Sequence, residues 1–234
     1  GLALIWFLMA GGVLGLPVVE NRMWGGLPLT LGLAVVGLVV ASPLAVALAL
    51  GRRSQLPLVR WFCIGWIELI RGVPLISLLF LASVMVPLFL PVGVSIDKLL
   101  RAQIAFIVFA SAYLAEVVRG GLQAVAKGQD EAAEALGLGY WRKMASVILP
   151  QALTAAIPSL VNTFIAFFKD TSLVLVIGLF DLLRTAKTAL TDAGWHGFFR
   201  EAYLFIAVIY FIFCYALSRY SRWLEADLQR SRGA

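Results

Sequence analysis

Six apolar runs dominate this chain, at 1–17, 27–50, 58–90, 102–126, 150–183 and 202–218. A bilayer's hydrocarbon core calls for about 20 apolar residues per helical span. The first run is short for a full span. The third is longer than one span needs, and Pro87 and Pro91 are expected to end it and open a loop through Asp97 and Lys98. A soluble domain carries about 25% charged and about 45–50% apolar residues. Here the figures are 14% and 62%, and mean hydropathy is +0.94. A chain this apolar has too little polar surface to cover itself in water, so the bilayer is its solvent and the fold class is an all-α integral membrane protein.

Charge sets the orientation. The formal net charge is +6, and the positive residues cluster beside the apolar runs. The clusters are Arg52, Arg53 and Arg60; Arg142 and Lys143; and Arg219, Arg222, Arg230 and Arg232. This is the bias of cytoplasmic loops and not the stripe of a nucleic-acid binder. Residues 51–60, 127–146 and the C-terminal tail are therefore expected in the cytoplasm, and 19–26 and 91–100 outside, with both ends of the segment inside. Run 1–17 has no basic leader for a signal peptide. It reads as a membrane helix in a chain that has lost its upstream part. Cys63 and Cys214 lie inside apolar runs and are expected as two buried thiols without a disulfide. A single His196 builds no metal site and is expected in an interfacial loop.

Ionisable residues inside spans are costly and point to function. Glu68-Leu69-Ile70-Arg71-Gly72 and Glu116-Val117-Val118-Arg119-Gly120 each place an acid and a base at i and i+3, on one helix face. At a rise of about 1.5 Å per residue, Glu68 lies roughly 16 Å from Pro57 and Glu116 roughly 16 Å from Lys127, so the two pairs share a depth near the midplane. Facing one cavity, they offer both signs of charge to a zwitterion; alternatively each pair locks helices together. Pro74 breaks the third run and frees backbone carbonyls, as in helices that line transport cavities or in an ordinary kink. Lys169, Asp170, Thr171 and Ser172 sit amid Phe and Val in the fifth run and must face protein or water. These eight residues are the candidate substrate contacts.

The longest polar break runs from Lys127 to Ser146, is helical in pattern, and contains Gly128-Gln129-Asp130-Glu131-Ala132-Ala133-Glu134-Ala135-Leu136-Gly137-Leu138-Gly139-Tyr140-Trp141-Arg142-Lys143. Acids first and bases last suit the helix dipole. The alanines make a narrow helix, and Gly137 and Gly139 end or turn it. A small-faced helix projecting from a membrane suits the groove of a soluble partner, although composition alone also allows a solvated amphipathic helix.

Glu131-Ala132-Ala133, Gly137, Val147, Leu149 and Pro150 follow the pattern E-A-A-x3-G-x9-I-x-L-P, with Val for Ile. This resembles the EAA loop of bacterial ABC-importer permeases. Glu116-x-x-Arg119-Gly120-Gly121-Leu122, Gly128-Gln129, Arg71-Gly72-Val73-Pro74 and Lys169-x-Thr171-Ser172-Leu173 look like its polar amino-acid branch. Ala112-Tyr113-Leu114-Ala115-Glu116 and Lys169-Asp170-Thr171-Ser172-Leu173-Val174 most resemble the general L-amino-acid permeases within it. The resemblance implies a five-helix permease core at 24–225 with a coupling loop at 127–150, one extra N-terminal membrane helix at 1–18, and a basic cytoplasmic tail at 226–234. It implies a bacterial inner-membrane subunit for polar or general L-amino acids that is not itself an enzyme. Gly128, Glu131, Ala132, Ala133, Gly137, Leu149 and Pro150 would carry the ATPase coupling. The implied partners are an ATP-binding cassette ATPase dimer, a second homologous permease forming a heterodimer, a periplasmic amino-acid-binding protein, the L-amino-acid substrate and membrane lipid, with no nucleic acid.

This chain is expected to bind no cofactor or metal; ATP and Mg would be used by the partner. The sequence has no G-x-x-x-x-G-K-[ST] phosphate loop, so the energy source must be another chain. A secondary transporter driven by an ion gradient is the alternative, and the E-x-x-R-G echo is weak support for the repeat such folds carry. The polar EAA-like loop has no part in that mechanism. A membrane enzyme finds no nucleophile–base set here.

Overall fold

The computed structural model describes residues 24–91 and 93–233. The run at 1–17, expected as an N-terminal membrane helix, lies outside the described residues. The elements are α1 (Gly26–Arg52), α2 (Pro57–Gly72), α3 (Leu75–Phe80), α4 (Lys98–Ala124), α5 (Lys127–Ala135), α6 (Tyr140–Lys143), α7 (Leu149–Asp170), β1 (Phe180–Asp181), α8 (Leu182–Ala189) and α9 (Phe199–Gly233). Among the described residues, four helical runs are long and apolar enough to cross a membrane: Gly26–Arg52, Lys98–Ala124, Tyr140–Ile177 and Phe199–Leu228. The fifth is a bent pair, Pro57–Gly72 and Leu75–Phe89, which turns through 98°. This is the all-α membrane architecture expected, with five core spans.

Prolines account for most irregularities. A proline lacks the N–H that would bond the carbonyl four residues back, and its ring crowds that carbonyl. The residue before it avoids the helical region, and Val73, ahead of Pro74, is extended at φ −105°, ψ 132°. The third run is therefore two helices and not one long span. Pro87 and Pro150 each follow a π turn, Leu81–Met85 and Met144–Ile148. The widened turn absorbs the lost bond. The carbonyl that Pro87 cannot reach belongs to Ser83, and the guanidinium of Arg101 takes it instead.

The chain divides into two compact units. The first holds residues up to 37, 74–106 and 168–210. In it, the expected 150–183 span stops being α-helical at Asp170, tightens into a 3-10 turn over Thr171–Ile177, and turns at Gly178 with φ 86°. The Thr171 hydroxyl donates to the Phe168 carbonyl at 2.7 Å and competes with the regular backbone ladder. Asp181 caps α8, accepting from the backbone N–H groups of Leu183 and Arg184 at 3.0 and 3.1 Å. Gly25 and Gly26 pair with β1, and buried Thr30 accepts from Leu182 N–H at 3.1 Å. These bonds tie the start of α1 to the turn after α7.

The second unit holds 38–73, 107–167 and residues from 211 onward. Ala41, Ala45 and Ala49 are fully buried at four-residue spacing on α1, and small residues let membrane helices approach closely. A β-carbon at Gly121 would clash with the Ala152 carbonyl oxygen and touch the Ala156 side chain, so α4 and α7 meet almost backbone to backbone there. α9 runs to Gly233 without a break, well past the 202–218 expected from apolarity, because no proline interrupts the polar tail. Cys63 and Cys214 are free; Cys63 is buried and Cys214 half-buried. His196 is exposed in the loop before α9.

Candidate functional site

Five charged residues from three helices of the second unit meet in one cluster. Glu116 on α4 is its hub. Its Oε1 accepts from Arg119 Nε at 2.7 Å and also from Arg119 Nη2. Its Oε2 accepts from Arg52 Nη1 at 3.3 Å and lies 4.0 Å from Arg71 Nη1. Arg52 Nη1 also donates to Glu68 Oε1 at 3.1 Å. The expected pairing of Glu116 with Arg119 is present. That of Glu68 with Arg71 is replaced: Glu68 bonds Arg52, and Arg71 turns toward Tyr113 and Glu116.

Arg52 was counted in the sequence as one of the loop cations. It is the last residue of α1, and its guanidinium joins both acids. The cluster therefore stands one side chain's length from the C-terminal end of α1. Three guanidiniums face two carboxylates, which leaves one surplus positive charge.

Arg71 is the least committed of the three. Its guanidinium lies over the Tyr113 ring, 5.6 Å from the centroid, a cation–π arrangement. Tyr113 OH donates to the Arg71 carbonyl at 3.4 Å. The Arg71 Nε is buried with no hydrogen-bond partner among the described residues. Phe109 and Phe167 pack beside Tyr113, with ring centroids 4.6 Å (Phe109–Tyr113), 5.8 Å (Phe109–Phe167) and 6.3 Å (Tyr113–Phe167) apart. A cation beside an aromatic wall can take a carboxylate attached to an organic body.

Lys169, Asp170, Thr171 and Ser172 belong to the first unit. They sit where α7 gives way to its 3-10 turn, with Lys169 exposed and Asp170 and Ser172 half-buried. Thr171 is fully buried, and its hydroxyl donates to the Phe168 carbonyl.

The polar break folds as helix, turn, helix. α5 ends at Ala135, and Gly137 takes φ 71° in the left-handed region, which a side chain would strain. Gly137 N–H bonds the Glu134 carbonyl at 2.9 Å, and Leu138 N–H bonds that of Ala133 at 3.1 Å, closing the helix end. Gly128, Glu131, Ala132, Gly137 and Pro150 are exposed, Leu149 is half-buried, and Ala133 is buried. Leu136 and Trp141, just beyond α5, are 79% and 75% exposed. Lys143, counted in the sequence among the cytoplasmic cations, is buried. Its Nζ lies 2.9 Å from Asp130 Oδ1 and 2.6 Å from Glu134 Oε1. Gln151 Nε2 donates to Gln129 Oε1 at 3.1 Å.

The model of the family described as binding-protein-dependent transport system inner membrane component matches residues 41–230. The chain is 57% identical to the inner membrane amino-acid ABC transporter permease protein YhdY of Escherichia coli K12, over 98% of this chain and 62% of that protein. It is 48% identical to the glutamate/glutamine/aspartate/asparagine transport system permease protein BztC of Rhodobacter capsulatus, over 93% of this chain and 50% of that protein. It thus spans half to three-fifths of the length of these two relatives. The glutamate/aspartate import permease protein GltK of Escherichia coli O157:H7 is 36% identical, over 86% of this chain and 90% of that one. Among solved structures, an amino acid ABC transporter crystallised with histidines superposes with TM-score 0.75 at 34% identity, over 86% of this chain and 92% of that one.

Proposed function

The chain belongs to the family of binding-protein-dependent transport system inner membrane components, and on that premise we propose that it is the permease subunit of an ATP-driven importer of polar or general L-amino acids. The observation that carries this reading is α5, a short helix held outside the spans. It exposes Glu131 and Ala132, is followed by exposed Leu136, and is closed by Gly137. A cytoplasmic ATPase dimer grips that face and supplies the energy, with ATP and Mg on the partner chain. A second homologous permease completes the pathway, and a periplasmic binding protein delivers the amino acid.

Within this chain, the substrate carboxylate is received by Arg71, whose Nε has no partner among the described residues and whose nearest described carboxylate is 4.0 Å away. The surplus charge of the cluster favours an anion there. The ammonium is met by Glu68, the more exposed acid, and Tyr113 with its neighbouring rings supports the carbon skeleton. In the first unit, Lys169, Asp170 and Ser172 are further candidate substrate contacts. The test is purification of the tagged chain from its membrane and identification of what accompanies it. An ATP-binding subunit and a second permease are expected. A chain that transports amino acids in proteoliposomes with no ATP-binding subunit present overturns the reading.

A further inference from the structure

The pattern E-A-A-x3-G-x9-I-x-L-P leaves Lys143 in its unspecified stretch, yet the structure gives that residue a definite environment. Its side chain is 8% exposed, while Tyr140, Trp141 and Arg142 around it are exposed. Asp130 and Glu134 are one helical turn apart on α5 and both reach the Lys143 amine. An ammonium has three donors and is strongly hydrated, so it is withdrawn from water only where carboxylates replace that water.

α5 hangs between two joints. Val125 and Ala126 are non-helical, and Gly137 sits at φ 71° ahead of non-helical Leu138 and Gly139. A nine-residue helix on two such joints could turn by itself when its outer face is pushed. Among the described residues, the Lys143 amine ties it to the chain entering α7, and the exposed Gln151–Gln129 bond ties it to α7 itself. Behind it, the clashing-distance approach at Gly121 joins α4 to α7. α4 carries Glu116, the hub of the charge cluster.

We propose that Lys143 is a positioning residue that locks α5 to the start of α7, so that force on the outer face of α5 moves α4 and α7 as one body. Without the lock, α5 yields at its joints and the force is lost before it reaches Glu116. The proposal rests on the reading that α5 receives the ATPase.

The experiment uses the complete transporter, permease pair and ATPase together, in liposomes, and reads amino acid moved per ATP hydrolysed. Lys143→Met keeps the side chain's length without its charge. The complex is expected to assemble and hydrolyse ATP, while transport per ATP falls about fivefold or more, the size of a lost coupling interaction. Lys143→Arg is expected to restore the ratio. The double variant Asp130→Asn with Glu134→Gln removes the lock from the solvent side without opening a cavity, and it is expected to match Lys143→Met. It decides the matter if Lys143→Met does not assemble. A wild-type ratio in that double variant overturns the proposal. So does a fall in uptake that only follows the amount of assembled complex, since that marks a purely structural residue. Glu131→Lys separates the two readings. If it loses the ATPase while the Lys143 and Asp130/Glu134 variants keep a normal ratio, α5 is the docking element and the lock is rejected. If it keeps both ATPase and uptake, the docking reading itself fails.

Discussion

Arg52 donates through the same nitrogen to two carboxylates, and this supports a quantitative test. The distances are 3.1 Å to Glu68 and 3.3 Å to Glu116, so geometry alone makes the Glu68 pair the stronger. Burial reverses that order: the Glu68 side chain is 54% exposed and that of Glu116 only 22%. An exposed pair contributes about 0–1 kcal/mol because water and salt screen it. Charges within one partly buried network couple by about 0.5–3 kcal/mol. A double-mutant cycle between Arg52→Gln and Glu116→Gln should therefore give a coupling of about 1.5–3 kcal/mol within the range for such networks. The cycle between Arg52→Gln and Glu68→Gln should stay below about 1 kcal/mol. Reversible unfolding of the purified chain in mixed micelles, followed by tryptophan fluorescence, measures both. A Glu68 coupling equal to or larger than that of Glu116 would refute the claim that burial ranks these contacts and that Glu116 is the hub.

Further outcomes follow from single positions. Gly121→Ala should lower the amount of folded protein in the membrane, at a cost of about 1–3 kcal/mol for overpacking. Gly120→Ala, where an added β-carbon meets nothing within 4 Å, should leave it unchanged; quantitative blotting of membranes compares the two. Arg71→Gln should keep its protein level and lose uptake of amino acids, measured with radiolabelled substrate, whereas normal uptake would remove Arg71 from the path. A cytoplasmic reporter fused after Arg232 should be active and a periplasmic one silent, as the basic residues following the last span require.

The spans were legible because hydrocarbon imposes a length, and α1, α4 and α9 begin within about a turn or so of where apolarity rises. The break at Pro74 was legible from the missing N–H, but its 98° angle was not. Nor was the packing of α3 against the 171–177 turn, nearly a hundred residues away in the chain. Gly137 could be read as a helix end because a left-handed residue there favours glycine. The partners of Arg52 and Lys143 were not legible, for one shared reason. Their place in the chain says which loop they enter, whereas a long flexible side chain can reach back along a helix or into a turn. Asp130 and Glu134, four apart on a helix that reverses at Gly137, were the signal that a cation beyond the turn could fold back onto them.

The central claim is that this chain moves amino acids with energy taken from ATP through α5. The direct measurement is uptake of a labelled L-amino acid by proteoliposomes holding the purified transporter, with ATP, without ATP, and with an ionophore that collapses ion gradients. Uptake that requires ATP and persists with the ionophore is the predicted result. Uptake that continues without ATP or any ATPase subunit and stops with the ionophore would contradict it.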